Sequence, residues 1–140
     1  MARNHHVERH IEAAPQTVWD LLSDAEAWKS WNPTIISIAG PIEVGSKVEL
    51  VSTLNPKRTF TLNVTEMSAP SRMVWSDGMP LGLFKGERTY RVEPDGDGSR
   101  FTMTEVYTGP MAPLITKAIP DMTDNFAEFA DGLKKAAEAA

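Results

Sequence analysis

The chain has 140 residues, 19 acidic and 14 basic for a formal net charge of -5, and no cysteine; this composition excludes disulfides and thiolate metal sites. No Lys/Arg run stands out, the N-terminal MARNHHVERH lacks an apolar signal core, and no stretch approaches the roughly 20 apolar residues of a membrane span. Nucleic acid, anionic lipid surfaces and a bilayer are therefore not expected as partners. The expectation is a single cytoplasmic domain over residues 1–140, monomeric or homodimeric, with a small hydrophobic molecule as its partner.

Residues 5–12 alternate, with Val7 and Ile11 on one face and Glu8, His10 and Glu12 on the other, which predicts a first strand with one buried side. Pro15 suits a first helical turn, and Val18, Trp19, Leu21 and Leu22 supply an apolar face over two turns. Asp24 is placed to cap a second short helix through Trp28, which must end before Asn32-Pro33 because a residue preceding proline is pushed out of the helical region.

From Thr34 to Gly109 the chain changes character. β-Branched and aromatic residues alternate between turn signals at Gly40-Pro41, Gly45-Ser46, Asn55-Pro56, Ala69-Pro70, Gly78 to Gly82 and Asp95 to Gly98. Six strands fit between these breaks, near residues 34–39, 47–54, 58–67, 72–77, 83–93 and 99–108, and the short linkers favour an antiparallel meander. Each strand carries one apolar face, such as Phe60, Leu62 and Val64, or Phe101 and Met103, and those faces need cover.

The last segment supplies it. Ile115, Ile119, Met122, Phe126, Phe129, Leu133 and Ala136 recur at spacings of three and four, while Asp124, Glu128, Asp131, Lys135 and Glu138 fall on the opposite side. Pro120 interrupts the pattern, which predicts a short helical run from Pro113 to Ala118, a kink, and a main helix from Pro120 onward, roughly 30 Å long. A seven-stranded sheet with one apolar face and a long helix with an apolar stripe satisfy each other if the sheet curls around the helix. The predicted fold is thus α+β, with two short helices between strands 1 and 2.

Counting back from a hairpin at Asp95 to Gly98 sets Val92 opposite Phe101, Tyr90 opposite Met103 and Arg88 opposite Glu105, all on the side that bears the apolar residues. Two charges then point inward, either as a structural ion pair or as polar contacts for a ligand. Tyr90 and Tyr107 would face the same space, each offering a hydroxyl, although no nucleophile–base pair accompanies them. Trp28, Trp31 and Trp75 are expected in the core or at a cavity rim, with the loop Asp77 to Gly82 as a lid unless Met79 and Leu81 pack on the long helix. Phe60, Met103, Met122 and Phe126 complete the candidate lining. His6 and His10 lie about 13 Å apart by the rise of a strand, and His5 and His6 point to opposite faces, so no metal site is expected.

The element order and the residues at its corners resemble the START-like superfamily, also called the Bet v 1-like, SRPBCC or polyketide cyclase/dehydrase-like group. The resemblance is carried by Ile11, Ala13, Pro15, Val18, Trp19, Leu22, Asp24, Trp28, Trp31 and Pro33, then by Gly45, Trp75, Arg88 to Val92 and Gly98 to Thr102, and by Phe126, Leu133 and Lys134 near the end. It implies the helix-grip fold and a cavity between sheet and helix for an apolar or amphipathic molecule; no cofactor is expected. The hairpin Gly40 to Gly45 is not the glycine-rich loop of the plant allergen branch, and the arginine- and glycine-rich turn of the chaperone-activator branch is missing there too, so neither branch's function carries over. Because this fold hosts carriers, receptors and ring-closing enzymes, three functions follow as expectations. The first is small-molecule binding. The second is a cyclase, dehydratase or aromatase in which Arg88, Glu105 and Tyr90 polarise the substrate and move protons. The third is an interaction module with a filled core.

Overall fold

The computed structural model describes residues 4–140. Strand β1 (Asn4–Ile11) is followed by helices α1 (Pro15–Leu22) and α2 (Ala25–Trp31), then by β2 (Ile35–Ala39), β3 (Lys47–Ser52), β4 (Phe60–Ser68), β5 (Arg72–Met79), β6 (Phe84–Asp95) and β7 (Gly98–Thr108). A short helix α3 (Ala112–Ile115), a 3-10 turn over Thr116–Ala118 and the long helix α4 (Thr123–Ala139) close the chain. The seven strands form one antiparallel sheet in the order β1-β7-β6-β5-β4-β3-β2. Strands β2 to β7 are thus the expected meander, and β1 adds to its far edge beside β7. Helices α1 and α2 carry the chain from that edge to the other. The sheet curls around α4, which is the helix-grip arrangement.

The local signals act as their chemistry predicts. Pro15 opens α1, the Asp24 carboxylate accepts from the Glu26 N–H at 3.0 Å at the head of α2, and Asn32 leaves the helix ahead of Pro33 with extended torsions. Phe126, Phe129, Ala130, Leu133 and Ala137 are the buried face of α4. From its polar side Lys134 Nζ donates to the His10 carbonyl at 2.7 Å, and Asp131 accepts from Arg9 Nε at 2.8 Å, tying the helix to β1. Gly132 costs this helix about 1 kcal/mol of propensity relative to alanine. A side chain there would come within 2.4 Å of the Trp31 carbonyl oxygen, so the glycine lets α4 lie against the end of α2.

Several expected boundaries move by one to three residues, and two of these shifts bear on the site. The main helix begins at Thr123 instead of Pro120: Ile119, preceding a proline, is extended, and the Asp121 carboxylate accepts from both the N–H and the hydroxyl of Thr123, at 3.0 and 2.7 Å. Ile115, Ile119 and Met122 therefore leave the helical stripe and face the space beside it. Strand β5 runs two residues further than expected because Gly78 and Met79 pair with Lys85 and Phe84. Gly78 marks a close approach of two strands, where a Cβ would meet the Phe84 carbonyl oxygen at 2.3 Å. In the loop beyond it the expected packing of Leu81 on α4 is not made. This residue is the loop's tip, almost fully exposed in a left-handed conformation (φ 62°).

Candidate functional site

The pleat brings the polar candidates into rows. Trp75 on β5 pairs with Arg88 on β6, Arg88 with Glu105 on β7, and Glu105 with His5 on β1. The next row outward is Asp77, Gly86 and Tyr107, and the next row inward is Met73, Tyr90, Met103 and Val7. The hairpin register read from Asp95–Gly98 is the observed one.

Between this sheet and the chain from Ile115 to Phe129 lies a cavity of about 690 Å³. Trp28, Trp75, Tyr90 and Phe129, all nearly inaccessible, form its closed end; Leu54, Arg58, Phe60, Met79, Phe84 and Met122 surround the more exposed end. Of the residues expected to line it, Arg88, Tyr90, Glu105, Tyr107, Trp28, Trp75, Phe60 and Met122 do so. Three lie outside it. Met103 is one row deeper in the core, and Trp31 packs on Trp28 and Phe129 with ring centroids 5.4 and 5.1 Å away. Phe126 is buried under the Arg88 guanidinium, 4.9 Å from its ring centre, and against the His5 ring. Trp28 stands at the closed end and not at a rim, stacked on Trp75 with centroids 5.1 Å apart and planes 9° from parallel. The histidines separate: His5 packs on Tyr107 and Phe126, His6 lies 3.0 Å from Thr104 Oγ1, and His10 bonds Asp95 and Glu12 at the surface.

Sequence reasoning missed Asn32, Thr34, Asp77 and Asn125, which also line the cavity. Asn32 was legible only as a helix stop. Asp77 was legible in the alternation Trp75, Asp77, Met79, which continues the inward face through what reads as a turn.

Arg88 Nε donates to Glu105 Oε1 at 3.1 Å, and the Tyr107 hydroxyl donates to Glu105 Oε2 at 2.5 Å. The two charged side chains keep 22% and 16% exposure. Burial alone would raise the Glu105 carboxyl, but the Arg88 charge and the Tyr107 and Arg88 hydrogen bonds outweigh it and hold the group below its ordinary 4.5. Burial likewise opposes the Arg88 cation, and Glu105 and Tyr90 more than offset it, so the guanidinium is held above its ordinary range. Burial pushes the Tyr90 phenol up to about 12, against the lowering effect of Arg88. At neutral pH the cluster is therefore a cation, an anion and a neutral phenol.

A carboxyl depressed by folding stabilises the protein above its unfolded pKa, and this stability is lost as pH falls through the folded pKa. The gap in urea midpoint between wild type and Glu105→Gln should accordingly be widest near pH 7 and narrow below about pH 4.5. A gap that stays constant down to pH 2.5 would mean that the charge of Glu105 adds nothing to the fold.

These features define a class: a helix-grip protein with a ligand-sized, mostly apolar cavity and one internally neutralised charge pair. Within that class the chain belongs to the polyketide cyclase / dehydrase and lipid transport family, whose family model matches residues 3–138. No curated protein matches the chain. Among solved structures it is similar to protein MLL2253 from Mesorhizobium loti, with a TM-score of 0.75 at 14% identity over 99% of this chain and 98% of that one. It is also similar to a point mutant of norcoclaurine synthase from Thalictrum flavum, solved with a transition-state analogue (TM-score 0.73, 17% identity, 98% and 94% of the two chains). Protein NE0264 from Nitrosomonas europaea aligns with a TM-score of 0.73 at 15% identity over 97% and 94%. At these identities the likeness is one of fold.

Proposed function

We propose that this protein binds a small hydrophobic or amphipathic molecule in the cavity between sheet and α4, as a carrier or a sensor. The observation that carries this reading is the cavity itself: about 690 Å³, within the range of small-molecule sites, with an aromatic closed end. The Arg88 cluster favours binding over catalysis. A proton-transfer catalyst works best with a pKa near the operating pH, whereas Arg88 and Tyr90 are pushed up and Glu105 down, each away from neutrality.

A ligand held only by the folded state stabilises it by about 2.7 kcal/mol at a hundredfold excess over Kd. For a domain of this size that is on the order of 8 °C in Tm. Thermal-shift titration with fatty acids, sterols, flavonoids and aromatic polyketides should yield shifts of this order for at least one class. Flat melting curves across all four would favour a filled interaction module instead.

A further inference from the structure

Near the end of β1 a histidine meets carboxylates at both of its ring nitrogens. His10 Nδ1 lies 2.9 Å from Asp95 Oδ2, at the close of β6, and Nε2 lies 2.7 Å from Glu12 Oε1, just past the end of β1. Carboxyls in water are ionised at neutral pH and can then only accept. A neutral imidazole has one N–H and one lone pair, so it can satisfy one of these contacts and must set its lone pair against the other carboxylate. Both contacts hold together only when the ring carries two protons and a positive charge.

The surroundings favour that charge. Arg100 of β7 is the cross-strand partner of His10; it lies 3.9 Å from Glu8 and 3.8 Å from Asp95, with Glu93 of β6 opposite it. From α4, Lys134 Nζ donates to the His10 carbonyl at 2.7 Å, and Glu138 accepts from the Glu12 N–H at 2.9 Å and from Lys134 at 2.6 Å. Without the imidazolium, Glu8, Glu12, Glu93, Asp95 and Glu138 would face Arg100 and Lys134, an excess of negative charge where three parts of the fold join. We propose that His10 is a pH-sensitive clip: as an imidazolium it ties the β6–β7 hairpin to the end of β1 and, through Glu12, to the last turns of α4, and it gives up one tie when the ring loses a proton. The hydrogen bonds to Asp95 and Glu12, in that order, hold the ring above its ordinary 6.5, and the bond to His10 holds the Asp95 carboxyl below its ordinary range. Release therefore falls between neutral and mildly alkaline pH, where histidine is the side chain suited to switch. None of the clip's residues lines the cavity, so the device does not depend on what the cavity holds.

NMR of the whole protein reads the ring directly, through the imidazole signals that are missing from His10→Gln. At pH 7 both ring nitrogens should carry protons, and the titration midpoint should lie above 6.5. Asp95→Asn and Glu12→Gln each remove one carboxylate charge and should each lower that midpoint, and the two together should lower it further. A group whose pKa is raised by folding stabilises the protein fully below its unfolded value, and this is lost as pH climbs through the folded one. The gap in urea midpoint between wild type and His10→Gln should accordingly be widest near about pH 6 and close by about pH 9. A midpoint at or below 6.5, or one that neither carboxylate substitution lowers, would overturn the proposal. So would a raised midpoint with a urea gap that stays constant from about pH 6 to 9, because the ring would then be charged and fasten nothing.

Discussion

Phe129→Ala should lower the stability of this protein by about 3–5 kcal/mol, the range for removing a buried phenyl ring, out of the ~5–15 kcal/mol that a domain possesses. Phe129 is 1% exposed and meets four other rings, Trp31 at 5.1 Å, Trp28 at 5.3 Å, and Tyr90 and Phe101 at 6.0 Å. It is where α4, α2 and the inner face of the sheet come together. The lost side chain also forms part of the cavity wall, so the void left behind opens into the binding space and the surrounding rings have few rotamers with which to close it. The Tm should fall on the order of 10 °C. Leu114→Ala, at a side chain 64% exposed in α3, is the control and should change little. If the urea midpoint of Phe129→Ala equals that of wild type, the sheet does not grip α4 as described.

Removing one charge of the Arg88–Glu105 pair should cost up to about 3–5 kcal/mol, because the partner, 22% or 16% exposed, is left without its counter-charge. The substitutions can be chosen to isolate that term. Glu105→Gln keeps an acceptor for the Tyr107 hydroxyl, and Arg88→Met keeps an apolar stem over the Phe126 ring. Glu105→Gln removes the charge alone, and Arg88→Met removes the charge together with the Nε–H that Glu105 accepts from. The double variant leaves no unpaired charge and should be much milder than the sum, with a coupling energy well above the ~0.3–0.5 kcal/mol seen between independent sites. Chemical denaturation of the four proteins at pH 7 measures it. Additive effects would mean that the 3.1 Å contact contributes nothing in solution. A folded Arg88→Met should also lose affinity for polar-headed ligands more than for purely apolar ones.

The register that creates this pair was readable from the sequence, and the reason is local. A hairpin whose loop is bracketed by Asp95 and Gly98 leaves one way to zip two strands with a side-chain period of two, so Arg88 opposite Glu105 follows from counting. The same holds for the α1 and α2 boundaries, set by Pro15, Asp24 and Pro33 within a few residues of where they act. The buried face of α4 from Phe126 to Leu133 was written in its own periodicity.

Tertiary structure alone decided where distant parts meet. The pairing of β1 with β7 joins residues about a hundred positions apart, and no local signal encodes it. Gly78 reads as a turn because glycine frees the backbone in turns and equally permits close approach of strands; only the facing Phe84 backbone distinguishes the two. The candidate lining separated on the same ground. Met103 and Phe126 have the right face and chemistry, yet one row of pleat or one ring of cover takes them out of the cavity. Asn32 and Trp75 have unremarkable local contexts, a helix stop and a strand aromatic, and only the assembled fold places them beside the cavity. Periodicity specifies which side of an element is buried. Whether a polar atom on that side is satisfied depends on every element packed around it, and that is a property of the assembled fold.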